Sequence, residues 1–270
     1  MTVFQAIVLG IVQGLTEFLP ISSSGHLVLV PALFGWEIPA DQVFVFDVLV
    51  QLGTLAAVFV YFRSDLAAIV RGLLSALRDP SRRESPEVRL AGLLLLATVP
   101  AGLAGLVLKD AVEAAFDSER AVAYFLLVTA GLLVLAERSG RFRKDVEALT
   151  VSDALVIGCF QILSLFPGVS RSGSTIAGGL VRGLDRASAA RFSFLMAVPV
   201  MLAAGALSAL ELKEVADLSG FLPALIAGMV SAAVIGYLAI GWLIRFLRRG
   251  SLYGFAVYVT ALAAAVLILV

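Results

Sequence analysis

Glu17, Ser23 and His26 stand within ten residues of one another, and Arg171 stands far along the chain in surroundings just as apolar. A hydroxyl, an imidazole and a carboxylate are the parts of an activated nucleophile. A guanidinium can hold phosphate oxygens through two parallel hydrogen bonds. Both places belong to one stretch that occurs twice. Gln13-Gly-Leu-Thr-Glu-Phe-Leu-Pro-Ile-Ser-Ser-Ser-Gly25 and Gln161-Ile-Leu-Ser-Leu-Phe-Pro-Gly-Val-Ser-Arg-Ser-Gly173 align without a gap, 148 residues apart. Their Gln, Leu, Phe, two Ser and final Gly are identical.

Each copy is a polar island whose serines precede an apolar half-helix. Serines there occupy N-cap positions and leave free N–H groups at a positive helix end, a ready anion site. Two such ends brought together suit a diphosphate. Tight packing of membrane helices would account for the Ser and Gly residues. It would not account for Arg171, since an arginine at a membrane helix centre costs ~2.5–3.5 kcal/mol. Glu17 closes the first half-helix, where the macrodipole disfavours an anion, so Arg171, a divalent metal or a proton must compensate it. Gln13, four residues earlier, shares its helical face.

His26 follows Ser23 by three residues, so both lie on one face, and it is either the base for Ser23 or a simple phosphate hydrogen-bond donor. Glu17, Ser23, His26 and Arg171 are the catalytic candidates, with Glu17 also the candidate metal ligand. Gln13, Ser22, Ser24, Gly25, Ser170, Ser172, Gly173 and Thr175 form the candidate substrate-binding set. Asp47 and Gln51, four apart in an apolar run, are expected to support the same cavity.

Composition decides what kind of scaffold holds these groups. The chain has 270 residues, 60% hydrophobic and 15% charged, with mean hydropathy +1.02. Such a chain is a polytopic membrane protein, because a water-soluble domain has nowhere to hide that surface. No cleavable signal peptide is evident before Gln13. Cys159 alone excludes an internal disulfide, and His26 alone excludes a histidine-rich metal cluster.

The island segments are too short to span, since a crossing needs ~20 apolar residues. Segments 3–35 and 151–184 therefore read as re-entrant helix-turn-helix hairpins, although a single broken helix that crosses is an alternative for the first. Six spans are expected at 42–62, 88–108, 119–137, 189–209, 221–244 and 252–270, with an interfacial amphipathic helix and a loop over 63–89. Arg-rich loops (63–87, 138–150, 245–251) alternate with acidic ones holding Asp110, Glu113, Asp117 and Glu119, then Glu211, Glu214 and Asp217. The positive-inside rule places the basic loops in the cytoplasm and both termini outside. Three spans after each hairpin reverse the chain, so residues 1–148 and 149–270 form an inverted-topology repeat with its site near the midplane. The first hairpin then enters from outside, the second from the cytoplasm.

The phrases Gln13-Gly-Leu-Thr-Glu17-Phe-Leu-Pro-Ile-Ser-Ser-Ser-Gly-His26 and Phe166-Pro-Gly-Val-Ser-Arg171-Ser-Gly resemble the two signature motifs of the bacitracin-resistance family of undecaprenyl-diphosphatases. The similarity extends through Phe46…Gln51-Leu-Gly53 to the whole chain. It implies a bacterial plasma-membrane enzyme, its site opening to the outer face, that hydrolyses undecaprenyl diphosphate to the monophosphate, recycles the carrier of cell-wall synthesis and needs a divalent cation, Mg2+ or Ca2+. By that resemblance Gln13 and Glu17 match the acidic motif, Ser23 and His26 the catalytic pair, and Arg171 the phosphate-binding arginine. Many members carry Glu where this chain has Gln13, which leaves Glu17 to act with waters and substrate oxygens.

The partners so implied are a polyprenyl diphosphate and the bilayer, with no nucleic acid; a homodimer is left open. A two-histidine lipid phosphatase would need a second His. An inverted-repeat transporter or flippase for a lipid phosphate fits the repeat equally well, since fold does not decide function. A purely structural membrane protein leaves Glu17, His26 and Arg171 unexplained.

Overall fold

A computed structural model describes residues 1–116, 118–139, 143–209 and 217–269. Asp117, Arg141, Glu211 and Glu214 of the loop pattern lie outside the described residues. Twelve α-helices are described: α1 Val3–Phe18, α2 Ser23–Phe34, α3 Ala40–Tyr61, α4 Arg63–Arg78, α5 Pro86–Val107, α6 Lys109–Phe116, α7 Glu119–Ser139, α8 Val151–Leu163, α9 Arg171–Val181, α10 Arg186–Ala209, α11 Leu218–Leu247 and α12 Tyr253–Leu269. Short 3-10 turns at Pro80–Glu84 and Val146–Ala148 join them, and no strand occurs among the described residues.

Five helices are long and apolar enough to cross a membrane, the stretches Asp41–Tyr61, Pro86–Val107, Arg120–Ser139, Arg186–Ala206 and Leu218–Leu247. The chain is thus a multi-pass membrane protein. The segment expected as a sixth span is a helix of 17 residues, or ~26 Å against a hydrocarbon core of ~30 Å. Helices α1, α2, α8 and α9 have 16, 12, 13 and 11 residues and fall shorter still. The amphipathic helix expected in 63–89 is α4, with Leu73, Leu74 and Leu77 exposed along one side. Helix α6 occupies what reads in the sequence as an acidic loop.

Local starts and stops repeat at the same interval as the islands. Thr2 caps α1 in a capping box with Gln5, and Thr150 caps α8 in a capping box with Asp153. Each satisfies two orphan amides at the entry of a helix that must begin abruptly. Packing repeats as well: α1 lies on α11 as α8 lies on α5, and α3 meets α11 as α10 meets α5. The α1–α11 contact is close because small residues face each other. A Cβ on Gly10 would collide with the Gly228 carbonyl, and one on Gly14 would come within 2.8 Å of the Ala232 carbonyl. Membrane helices associate through such small-residue contacts, lipid tails being as apolar as leucine.

The main core holds Phe18, Phe62, Phe192, Phe194, Leu133 and Leu180. Phe18 is fully buried and meets Phe194 edge to face at 5.2 Å, which pins the end of α1 and so the residue before it, Glu17. The opposite end of the α8–α9 pair is closed by charge. Asp153 accepts from Lys144, from the Thr150 amide and hydroxyl at 2.8 Å, and from Arg182 at 2.7 Å. Burial pushes the Asp153 carboxyl up, but those donors outweigh it and hold it well below the usual carboxylate range. Nearby, Arg186 forks onto Glu137, whose Oε1 also accepts from the Leu252 amide at 2.7 Å. The basic residues that set the topology in the sequence are thus also ties between helices.

Candidate active site

The α1–α2 and α8–α9 turns meet. Ser22 is the N-cap of α2 and accepts from the Gly25 amide at 3.4 Å; Ser170 caps α9 and accepts from the Gly173 amide at 3.0 Å. In each helix the first two N–H groups, those of Ser23 and Ser24 and of Arg171 and Ser172, have no intrahelical acceptor. The turns touch through Ser172 Oγ, which donates to the Leu19 carbonyl at 3.1 Å, and the Gly168 amide, which donates to Ser24 Oγ at 3.4 Å. Gly173 permits this approach, since a Cβ there would meet Pro20 at 3.4 Å and Ser170 at 3.0 Å. Ser22 is the one described non-glycine residue with positive φ, at φ 70° and ψ 103°. Such a backbone persists only where its surroundings hold it.

Glu17 is the hub. Its Oε1 accepts from Arg171 Nη2 at 2.7 Å, and its Oε2 from Ser23 Oγ at 2.8 Å and Gln13 Nε2 at 3.0 Å. Of the three compensating groups that the sequence leaves open for this carboxylate, the structure pairs it with Arg171, an ion pair that joins the two repeats. The satisfaction is incomplete in a telling way. Gln13 Oε1, Gln161 Oε1 and Arg171 Nη1 are buried without a partner, and an unpaired buried polar atom carries a desolvation penalty of ~1–3 kcal/mol. Gln161 and Arg171 line a cavity of about 650 Å³. Glu17, Ser22, Ser23, Ser24, Gln51 and Arg171 line its polar side, and Ala101, Gly102, Leu165, Phe166, Val200 and Ala203 its apolar side.

The structure therefore gathers Gln13, Glu17, the three serines, Arg171 and Gln51. It directs others elsewhere. Ser23 donates to Glu17 and not to His26, because Ser23 is the first residue of α2 and looks back across the turn to the end of α1. His26, a full turn in, donates from Nδ1 to the Ser22 carbonyl at 2.6 Å, so its Nε2 accepts from the Tyr258 hydroxyl at 2.8 Å, with the two rings stacked. His26 thereby clamps the strained Ser22.

Asp47 does not line the main cavity, contrary to expectation. It faces a separate one of about 210 Å³ with Met1, Leu27 and Trp36. Four residues along α3 carry the chain from that cavity to the main one, where only Gln51 arrives. Thr175 is also turned away: its hydroxyl donates to the Arg171 carbonyl at 2.8 Å and pairs with Ser193 at 2.6 Å. Gly25 packs against Leu126 and Ser22.

Two participants escape a reading of the sequence. Tyr258 lies 232 residues from His26, and nothing local marks it. Thr129 donates to the Gly168 carbonyl at 3.0 Å and accepts from the Ser170 amide at 2.9 Å, holding the second turn in shape.

Among the described residues no group of three His, Cys, Asp or Glu could enclose a metal. The donors that fit a divalent cation are the Glu17 carboxylate and the orphaned Gln13 Oε1. Two protein oxygens match Mg2+, which keeps most of its waters and takes substrate phosphates as ligands.

The family model described as bacitracin resistance protein BacA matches residues 6–265. The undecaprenyl-diphosphatase of Methanosphaera stadtmanae is 41% identical over 276 residues, covering 99% of this chain and 98% of the relative. That of Gloeobacter violaceus is 45% identical over 261 residues (95% and 88%), and that of Trichlorobacter lovleyi is 40% identical over 271 residues (100% and 97%).

Proposed function

The chain belongs to the bacitracin resistance protein family, and from that premise we infer that it is a membrane phosphatase hydrolysing undecaprenyl diphosphate to undecaprenyl phosphate and inorganic phosphate. Recycling of this lipid carrier serves peptidoglycan synthesis and resists bacitracin. The observation that carries the reading is Arg171, which reaches across to Glu17 through Nη2 and keeps Nη1 buried and unspent beside the cavity. A purely structural pair would leave no such donor. The apolar side of the cavity suits the first isoprene units of the lipid.

The diphosphate binds between the positive ends of α2 and α9, its terminal phosphate on the free amides and on Arg171. Phosphate oxygens draw the guanidinium off Glu17, which is then free to take the proton of Ser23. Ser23 Oγ attacks the terminal phosphorus, the bond from that phosphorus to the bridging oxygen breaks, and undecaprenyl phosphate leaves with the electron pair. A water then attacks the phosphoserine; the Ser23 oxygen leaves and recovers its proton from Glu17, and inorganic phosphate is released. Arg171 and the amides stabilise charge as it develops, at no cost in reorganisation. His26 and Tyr258 hold Ser22 and so aim the α2 terminus. A divalent cation on Glu17 and Gln13 Oε1 would supply further neutralisation of the phosphates.

The short helices support two re-entrant hairpins, 3–35 and 151–184, within an inverted repeat of residues 1–148 and 149–270, α12 completing six spans with tilt or local thinning of the bilayer. The capping boxes 148 residues apart favour the same division. Basic loops then face the cytoplasm, and the site opens outward. With Cys159→Ser as background, a cysteine at 219 is expected to react with an impermeant thiol reagent in intact cells, and one at 248 only after lysis. Labelling of 248 from outside would reverse the orientation.

Hydrolysis needs no sealed compartment, whereas transport does. Purified protein in detergent with undecaprenyl diphosphate and Mg2+ or Ca2+ is expected to release phosphate, and a Glu17→Ala variant to release almost none. Equal release by both would remove the site from the reaction.

A further inference from the structure

The repeat contains a residue that the mechanism above does not use. Gln161, in the last turn of α8, is the counterpart of Gln13. The Gln13 amide is held by Glu17, four residues on. At the matching place in the second repeat stands Leu165, which offers nothing to hold an amide. Gln161 is only 2% exposed, its Oε1 has no partner, and it lines the same cavity as Ser23 and Arg171. Most buried polar atoms have a hydrogen-bond partner, so one left without any, on the wall of a cavity, points to a partner that enters the cavity.

An amide oxygen takes a hydrogen-bond donor or a cation, and where Glu17 stands four residues after Gln13 the second repeat has Leu165, with no carboxylate to draw a cation there, so the missing partner is a hydrogen-bond donor. Ionised phosphate oxygens only accept as well and would repel it. A terminal phosphoryl group that keeps one P–O–H donates, and its neighbouring oxygens accept from the amide nitrogen on the same side chain. A diphosphate whose terminal phosphate is capped by an ester or a sugar has lost that hydroxyl. We propose that Gln161 is a specificity-determining residue that recognises the hydroxyl of an unsubstituted terminal phosphate and so admits the free lipid diphosphate over capped ones. It contacts substrate from the second repeat, in the cavity that Glu17 and Ser23 also line.

This inference rests on the diphosphatase reading, and the test separates the two. Full-length protein in detergent is assayed with a polyprenyl diphosphate, and the ester of that lipid carrying one methyl group on the terminal phosphate is titrated as a competitive inhibitor. In the wild type the free diphosphate is bound more tightly than the methyl ester. Gln161→Leu, close in volume and without donor or acceptor, is expected to shrink that ratio by about tenfold or more, the value of one hydrogen bond to a charged group, with an unchanged thermal midpoint. Gln161→Met gives the same comparison should the leucine protein fail to fold. A wild-type ratio retained in either folded variant overturns the assignment. Absence of phosphate release by the wild type overturns the diphosphatase reading itself, and the assignment with it.

Discussion

Ser23→Ala is expected to lower kcat by about three orders of magnitude or more, the usual scale for loss of an attacking group. KM for the lipid is expected to move little. Ser23 is the first residue of α2, its hydroxyl 2.8 Å from Glu17 Oε2, so alanine removes the nucleophile and leaves the helix terminus, its N-cap Ser22 and the Arg171 clamp in place. Saturating metal is not expected to rescue the variant. Steady-state phosphate release from undecaprenyl diphosphate, paired with rapid quenching of terminally labelled substrate, checks both halves: label is trapped on the wild-type protein and not on the variant. A variant turning over within tenfold of wild type would reduce Ser23 to an orienting group and give the attack to water.

Arg171→Ala is expected to cost about a hundred- to a thousandfold in kcat/KM, the size of one preorganised electrostatic contact on developing charge. Arg171→Lys is expected to recover only part of that loss. Lysine keeps the charge but cannot grip two phosphate oxygens at once, as the planar fork can. The alanine variant also leaves Glu17 buried without its cation, so its thermal midpoint must be measured beside its kinetics. A drop in midpoint with kcat/KM intact would make the 2.7 Å pair a structural tie and nothing more.

The helix caps and the ion pair were legible because their signals are local. A serine before an apolar half-helix is an N-cap whatever packs around it, and Ser22 and Ser170 both prove to be caps. An arginine and a glutamate in apolar surroundings must meet a partner, and they meet each other. The internal repeat added what one copy could not, the convergence of two helix ends.

What escaped depends on packing. Tyr258 reaches His26 because α12 packs on α7 and its Val259 joins Ile21 of the α1–α2 turn in one apolar cluster, and no spacing in the sequence encodes that. The i, i+4 rule put Asp47 and Gln51 on one face correctly, but the face passes two different cavities. Ser23 and His26 likewise share a face, yet the first residue of a helix looks back across its turn, which gave Ser23 to Glu17.

Attack by Ser23 through a phosphoserine leaves a stereochemical signature at the terminal phosphorus. Undecaprenyl diphosphate made chiral at that phosphorus with oxygen isotopes and sulfur is hydrolysed in isotopically labelled water, and the configuration of the released thiophosphate is read. Each in-line displacement inverts the centre. Two displacements, by Ser23 and then by water, predict net retention. Net inversion would mean a single attack by water, with no phosphoserine and no nucleophilic role for Ser23.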